Sequence, residues 1–257
     1  MADPILLDDA KIWLGGVDLT GSANSVELSA AKAELTNGRF GDAGEVFHPG
    51  LEQVVANVGG FFSAGAGEPD PTIYNRWNSS TGHALTVAPP NAPGAVAGAE
   101  GNVAYTVVGR PFSYNISGAH GQLLPYQMTA KPASTFRLYR QKIISEKQSF
   151  ATTATAGLTD VGAAHNVGAV ATGQELNATL HAFSHTGAAF TITVESDNAS
   201  GFASATTRVT FSSVATDGIT ETKKVSGAIT DNWYRTRYVV TDSGSISSAL
   251  LVGIANQ

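Results

Sequence analysis

The sequence predicts an all-β, mainly antiparallel protein with little helix, and three observations carry that expectation. The clearest runs alternate at period two, as where Phe190, Ile192 and Val194 are interleaved with Thr191, Thr193 and Glu195. A strand sends successive side chains to opposite faces, so alternation marks a sheet with one covered face. Small residues abound, with 28 glycines among 257 residues, a mixture that suits close-packed strands and tight turns better than long amphipathic helices. Finally, clusters of Gly, Asn, Asp and Pro interrupt the runs at short spacing, the pattern of a β-sandwich or barrel. The C-terminal portion reads as jelly-roll-like.

Taken in order, Ile5 to Leu14 is a short apolar run that Gly15-Gly16 turns into a hairpin with Val17-Asp18-Leu19, because glycine reaches positive φ without a Cβ clash. From Ser25 a strand sets Val26, Leu28 and Ala30 against Glu27, Ser29 and Ala31. Thr36 to Gly50 breaks the pattern with turn residues and reads as a long exposed connection. Leu51 to Phe62 fits helix at i, i+3, i+4 and i+7, but its β-branched residues and Gly59-Gly60 favour strand.

Ala64 to Pro71 and Ala88 to Gly101 are linker-like stretches rich in Gly, Ala and Pro. The piece between them, with Tyr74, Trp77, Leu85 and Val87, has too little apolar material to stand alone and is expected to pack on its neighbours. Val103 to Val108, Phe112 to Ser117 and Ser134 to Tyr139 follow as separate strands, whereas Lys142 to Ala156 is too mixed to assign. In the last third, Leu176, Ala178 and Leu180 alternate with Asn177, Thr179 and His181, and Val209 and Phe211 with Thr210 and Ser212. These are expected to be antiparallel strands with one wet face. Trp233 to Thr241 and Ile246 to Ile254 form a final pair across the turn Asp242-Ser243-Gly244-Ser245. Three regions result: 1–101 with long loops, 102–171 with strands completing the core, and 172–257, the antiparallel C-terminal portion, either separate or continuous in one domain.

Only 14% of residues are charged, against roughly 25% in an average protein, so much of the surface is neutral. A net charge of −6 and the lack of any basic run argue against general nucleic-acid binding, which needs clustered Lys and Arg. With no cysteine, neither a disulfide framework nor a thiolate site is available. The amino terminus lacks a basic start and a long apolar run, which predicts cytoplasmic synthesis and no membrane anchor.

Candidate chemistry is thin. His181 and His185 are spaced i, i+4, but on a strand followed by a turn they read as a solvent-facing pair rather than a metal site. Gly21-Ser22-Ala23 and Asp242-Ser243-Gly244 fail the pattern of a nucleophile elbow. Phosphate-binding and dinucleotide fingerprints are missing, and so is the βαβ alternation that would support them. The expectation is no enzyme, no cofactor, no metal and no catalytic residue. Trp77 and Trp233 suit a sugar platform, or more commonly core or subunit contact.

Two regions together resemble the major tail tube proteins of siphophages. Gly16-Val17-Asp18-Leu19-Thr20 leads into the strand Asn24 to Ala33, then Phe40-Gly41-Asp42, then His48-Pro49-Gly50-Leu51, and closes on Gly59-Gly60-Phe61-Phe62. Later, Thr172-Gly173-Gln174-Glu175-Leu176 starts a strand to His181, followed by Phe190 to Asp197 and Trp233-Tyr234-Arg235-Thr236-Arg237-Tyr238. The resemblance implies a tube-type fold in a virion tail, assembled in the host cytoplasm. It also implies self-association into stacked rings, hexameric or pseudo-hexameric, with a tape-measure protein and tail terminator as partners. Genomic DNA would pass through the lumen without specific binding. The alternative is a capsid decoration protein or a glycan-binding tail-tip module.

The Thr36 to Gly50 connection is longer than most hairpin links, and loops of that length without structure of their own tend to be functional or disordered. It carries Phe40, Val46 and Phe47, which are costly to leave in water, so these three are expected to make the contact between successive rings, the alternative being that the aromatics fold back onto the subunit's own core.

Overall fold

The protein is described by a computed structural model covering residues 9–37, 44, 47–132, 137–152 and 158–256. A short hairpin opens the chain, β1 (Lys11–Leu14) and β2 (Val17–Asp18), followed by a long one, β3 (Ala23–Thr36) and β4 (Phe47–Phe61). The single helix among the described residues is α1 (Pro69–Trp77). Next come β5 (His83–Ala88), β6 (Val103–Ile116), β7 (Pro125–Pro132), β8 (Leu138–Thr152), β9 (Leu158–Val161) and β10 (His165–Asn166). The C-terminal third holds β11 (Gln174–Gly187), β12 (Phe190–Asp197), β13 (Thr206–Thr210), β14 (Ile219–Ser226), β15 (Trp233–Val240) and β16 (Gly244–Asn256).

The fold is all-β, as predicted, and its strands form two antiparallel sheets. The larger runs β14-β11-β16-β8-β6-β5-β1-β2, with β7, β4 and β3 added in turn from the far half of β6. It draws strands from all parts of the chain. The smaller sheet places β15 between β12 and the short β9 and β10, with β13 outside β12. Neither sheet closes into a barrel. The large sheet curls instead until the β1–β2 turn abuts the opposite end: a side chain on Gly16 would meet the Ile219 carbonyl oxygen at 2.5 Å. Gly15 and Gly16 both have positive φ, 57° and 76°, the hairpin geometry the sequence predicts. Arg76 of α1 fastens the junction by donating from Nη2 to the carbonyls of Gly15 and Gly218, both at 2.7 Å.

Three cores follow. The smaller sheet packs on the outer face of β11, β16 and β8 through Leu176, Leu180, Phe190, Ile192, Tyr238 and Leu250. α1, β4 and β7 pack on the outer face of β1, β5 and β6 around Leu14, Ile73, Val107 and Met128. Inside the curl lies a third cluster around Trp13, Ile143 and Leu251.

That inner cluster corrects the expectation of a wet face on β11. Asn177, Thr179 and His181 are completely buried, because the curl folds β1 and β5 over the face on which they stand. Each finds a polar partner, as burial demands. Gln141 Nε2 donates to Asn177 Oδ1 at 2.9 Å and to Thr179 Oγ1 at 3.1 Å. It reaches across β16 only because Gly253 lies between, where a Cβ would stand 3.0 Å from the Gln141 side chain. His181 Nε2 lies 2.8 Å from Thr86 Oγ1, which in turn meets Thr106 Oγ1 at 2.8 Å.

Other expectations shift at element boundaries. Pro69 and Pro71, read as linker residues, begin α1, where proline is tolerated because the first helical N–H groups lack partners anyway. The second linker-like stretch packs too, with Ala97 buried near Trp13. The runs 103–108 and 112–117 are one strand, β6, with a register shift between Pro111 and Ser113 where it leaves β5 and takes up β7. The unassigned segment from Lys142 belongs to β8. Leu51 to Phe61 is strand, as favoured. Of the run Ser134 to Tyr139, residues 134–136 lie outside the described residues.

Candidate assembly surface

The β3–β4 hairpin is packed at its base and exposed at the far end of its described strands. Val54, Ala56 and Val58 are buried against the second core, and Val26 and Leu28 are half-buried. Beyond them both strands are largely exposed on both faces. The ladder nevertheless continues to the Thr36–Phe47 pair. Of the predicted contact residues, Phe47 sits at this far end with 58% of its surface exposed, whereas Phe40 and Val46 lie outside the described residues. The sequence reading missed Leu35 and Leu51, exposed at 56% and 85%. Leu35 was hidden in a run that alternates as a core strand does, and Leu51 at the head of the i, i+3, i+4, i+7 spacing with Val54, Val55 and Val58.

β3, β4, β7 and the far half of β6 form a four-stranded wall in which every neighbour is antiparallel. One face, with Val26, Val58, Met128 and Tyr114 in register, covers the second core. The other carries Ser25, Glu27 and Ser29 on β3, Asn57 on β4, Gln127 and Thr129 on β7, and Ser113 and Asn115 on β6. A cross-strand chain ties three of these together: the Thr129 hydroxyl donates to Asn57 Oδ1 at 2.8 Å and Asn57 Nδ2 donates to Glu27 Oε2 at 3.0 Å. The face is neutral over most of its area, with cations confined to the Arg110–Lys131 pair at one end.

Among the described residues both lateral edges of this wall are open, and β3 pairs only with β4. Residues 110–116 of β6 pair with β7 on one side, and among the described residues no strand pairs with them on the other, because β5 ends at His83 opposite Gly109. An open strand edge presents a row of N–H and C=O groups ready to pair with another chain.

Beside the β6 edge, α1 and β6 frame an apolar groove with a cavity volume of about 640 Å³, lined by Tyr74, Trp77, Phe112, Tyr114 and Ile116. Tyr74, Trp77, Phe112 and Ile116 are exposed at 40–58%. Asp70 of α1 accepts a hydrogen bond from the Tyr114 hydroxyl at 3.0 Å, and burial together with this carboxylate pushes the Tyr114 hydroxyl far above the usual phenol range. It therefore stays a neutral donor that fixes the helix to the strand.

The two histidines considered as a pair do not act together. Burial pushes His181 down to about 3, and its ring stacks on Phe183 within 6.1 Å. His185 is half-buried and meets the Ala188 carbonyl at 2.8 Å. Among the described residues, no three of His, Asp or Glu converge as metal ligands would. Charged pairs in the smaller sheet are structural: the buried Glu195 accepts from Arg235 at 2.8 Å and from Arg237 at 3.0 Å.

No protein-family model matches the sequence, and no curated protein matches it. Among solved structures, the chain is similar to a component of the virion of a native gene transfer agent particle, with 12% identity, a TM-score of 0.41, and coverage of 51% of this chain and 95% of that one. It is similar to the SPP1 tail tube protein at 13% identity and a TM-score of 0.41, covering 50% of this chain and 75% of the other. It is also similar to the SPP1 Dit protein, a hub adsorption component, at 11% identity and a TM-score of 0.34, covering 96% and 99%.

Proposed function

We propose that this chain is a structural subunit of a phage tail tube, joining copies of itself into stacked rings around a lumen through which DNA passes. The observation that carries this reading is the four-stranded wall, with its open edge on each side and its neutral polar face. An even number of strands alternating in direction makes the two edges antiparallel to each other. A head-to-tail neighbour therefore presents β3 to residues 110–116 in the orientation an antiparallel ladder needs. Because the two edges are different surfaces, the contact is heterologous and closes by rotation into a ring.

The hydroxyl and amide face becomes the lumen lining. Phosphate binding needs arrayed cations, and a carpet of Ser, Thr, Asn and Gln offers none over most of its area. The motifs from Gly16 to Phe62 that resemble tail tube proteins supply β3 and β4, the same strands. One wet-faced wall per chain supports hexameric rings over rings of three double subunits. The region 172–257 together with the smaller sheet then forms an addition outside the wall. A glycan-binding tail-tip module is the second reading, favoured by the exposed Tyr74–Trp77 pair with ring centroids 6.0 Å apart.

Hydrogen exchange on unassembled and assembled protein separates these readings. The tube reading expects amides of residues 25–35 and 110–116 to slow together on assembly while those of β13, the edge of the smaller sheet, stay unchanged. Slowing confined to the smaller sheet would contradict it. A monomer whose tryptophan emission responds to oligosaccharides would establish the second reading instead.

A further inference from the structure

We infer that the groove between α1 and β6 is the socket for the β3–β4 hairpin tip of a copy in the adjacent ring. The inference rests on the tube reading and names the surface that receives its stacking contact. Two apolar features of this chain lack partners among the described residues, one convex and one concave. The convex one is the tip, with Leu35, Phe47 and Leu51; the concave one is the groove, with Tyr74, Trp77 and Phe112. Exposed apolar clusters of this kind mark interaction sites.

Their positions make them an inter-ring pair. Tyr114 in the groove is level with Met128, Val58 and Val26 across the wall. From Val26 to Leu35 is nine residues, about 30 Å along the strand at roughly 3.3 Å per residue. Knob and socket thus lie at different heights on one subunit, and no subunit seats its own tip. A copy displaced along the strand direction does, and repetition of that displacement extends a stack without limit.

The chain has no cysteine, so paired cysteines report the contact directly. Leu51→Cys with Trp77→Cys, assembled and oxidised, is expected to give a ladder of covalent oligomers on a non-reducing gel, in tubes visible by electron microscopy. Leu28→Cys with Trp77→Cys tests the competing occupant, the flank of β3 from a neighbour in the same ring, and is expected to give no ladder. Phe47→Ser with Leu51→Ser is expected to leave rings intact and shorten tubes at least tenfold. A ladder from the Leu28 pair alone, or tubes with no ladder from either pair, overturns the socket while leaving the tube reading in place. A chain that forms neither rings nor tubes overturns both.

Discussion

β3 and β11 are each 14 residues long, alternate in the same way in sequence, and end in opposite circumstances. β11 lies between β14 and β16 with the smaller sheet on one face and the curled ends of its own sheet on the other, so residues Leu176 to Ala182 are all buried. Among the described residues β3 has one neighbouring strand, and from Ser29 onward every residue of it but Ala33 is exposed. The difference lies in what covers each strand, not in the strands. Within this subunit β11 supplies stability, while β3 leaves exposed the surface that the proposed ring contact would cover.

Core substitutions should separate the two strands most sharply. Leu180→Ala is expected to lower subunit stability by about 3 kcal/mol, the loss typical of a buried leucine that leaves a cavity. Leu51→Ala should change it by about 0.5 kcal/mol or less, as surface substitutions do, while weakening stacking. Urea unfolding of the unassembled variants, beside tube lengths from micrographs, measures both. Equal destabilisation by the two substitutions would erase the distinction.

Acid should act on the β11 side next. Burial holds His181 neutral with its pKa at about 3, against 6.5 for the exposed group. Its contribution is complete above about pH 6.5 and is lost as pH falls toward 3, because only the unfolded chain takes up the proton. Between pH 7.5 and pH 5 this costs about 2 kcal/mol. The urea midpoint should fall accordingly, and His181→Gln should flatten the dependence even where it lowers the midpoint. An unchanged slope in that variant would remove His181 from the account. His83, pushed down to about 4 by burial and then by Arg76 and Arg110, adds a loss of the same sign.

The smallest effect is expected from salt. With few charges and contacts made by backbone pairing and apolar burial, a roughly tenfold rise in ionic strength should move the threshold for assembly by less than about threefold. Light scattering across a salt series measures it, and a steep dependence would make the ring contact electrostatic.

The strands that alternate most cleanly, β3, β12, β15 and β16, were legible in the sequence, as was the Gly15-Gly16 turn. Alternation reports polarity, however, and not what lies beyond it. Asn177, Thr179 and His181 look like a solvated face because their hydrogen-bond partners, Gln141, Thr86 and Thr222, are at least 36 residues away in sequence. α1 was hidden because proline in a first helical turn and proline in a linker read alike. The candidate surface was half legible: Phe47 stood out in a region rich in turn residues, whereas Leu35 and Leu51 have the spacing of core residues and only the projecting hairpin shows them exposed. The open edge at residues 110–116 was invisible, since it depends on where β5 stops.

Negative-stain electron microscopy of the purified chain, concentrated at low and at high salt, tests the central claim most directly. The account predicts rings with a central hole, stacking into tubes, under both conditions. A strictly monomeric particle at every concentration and salt would contradict it.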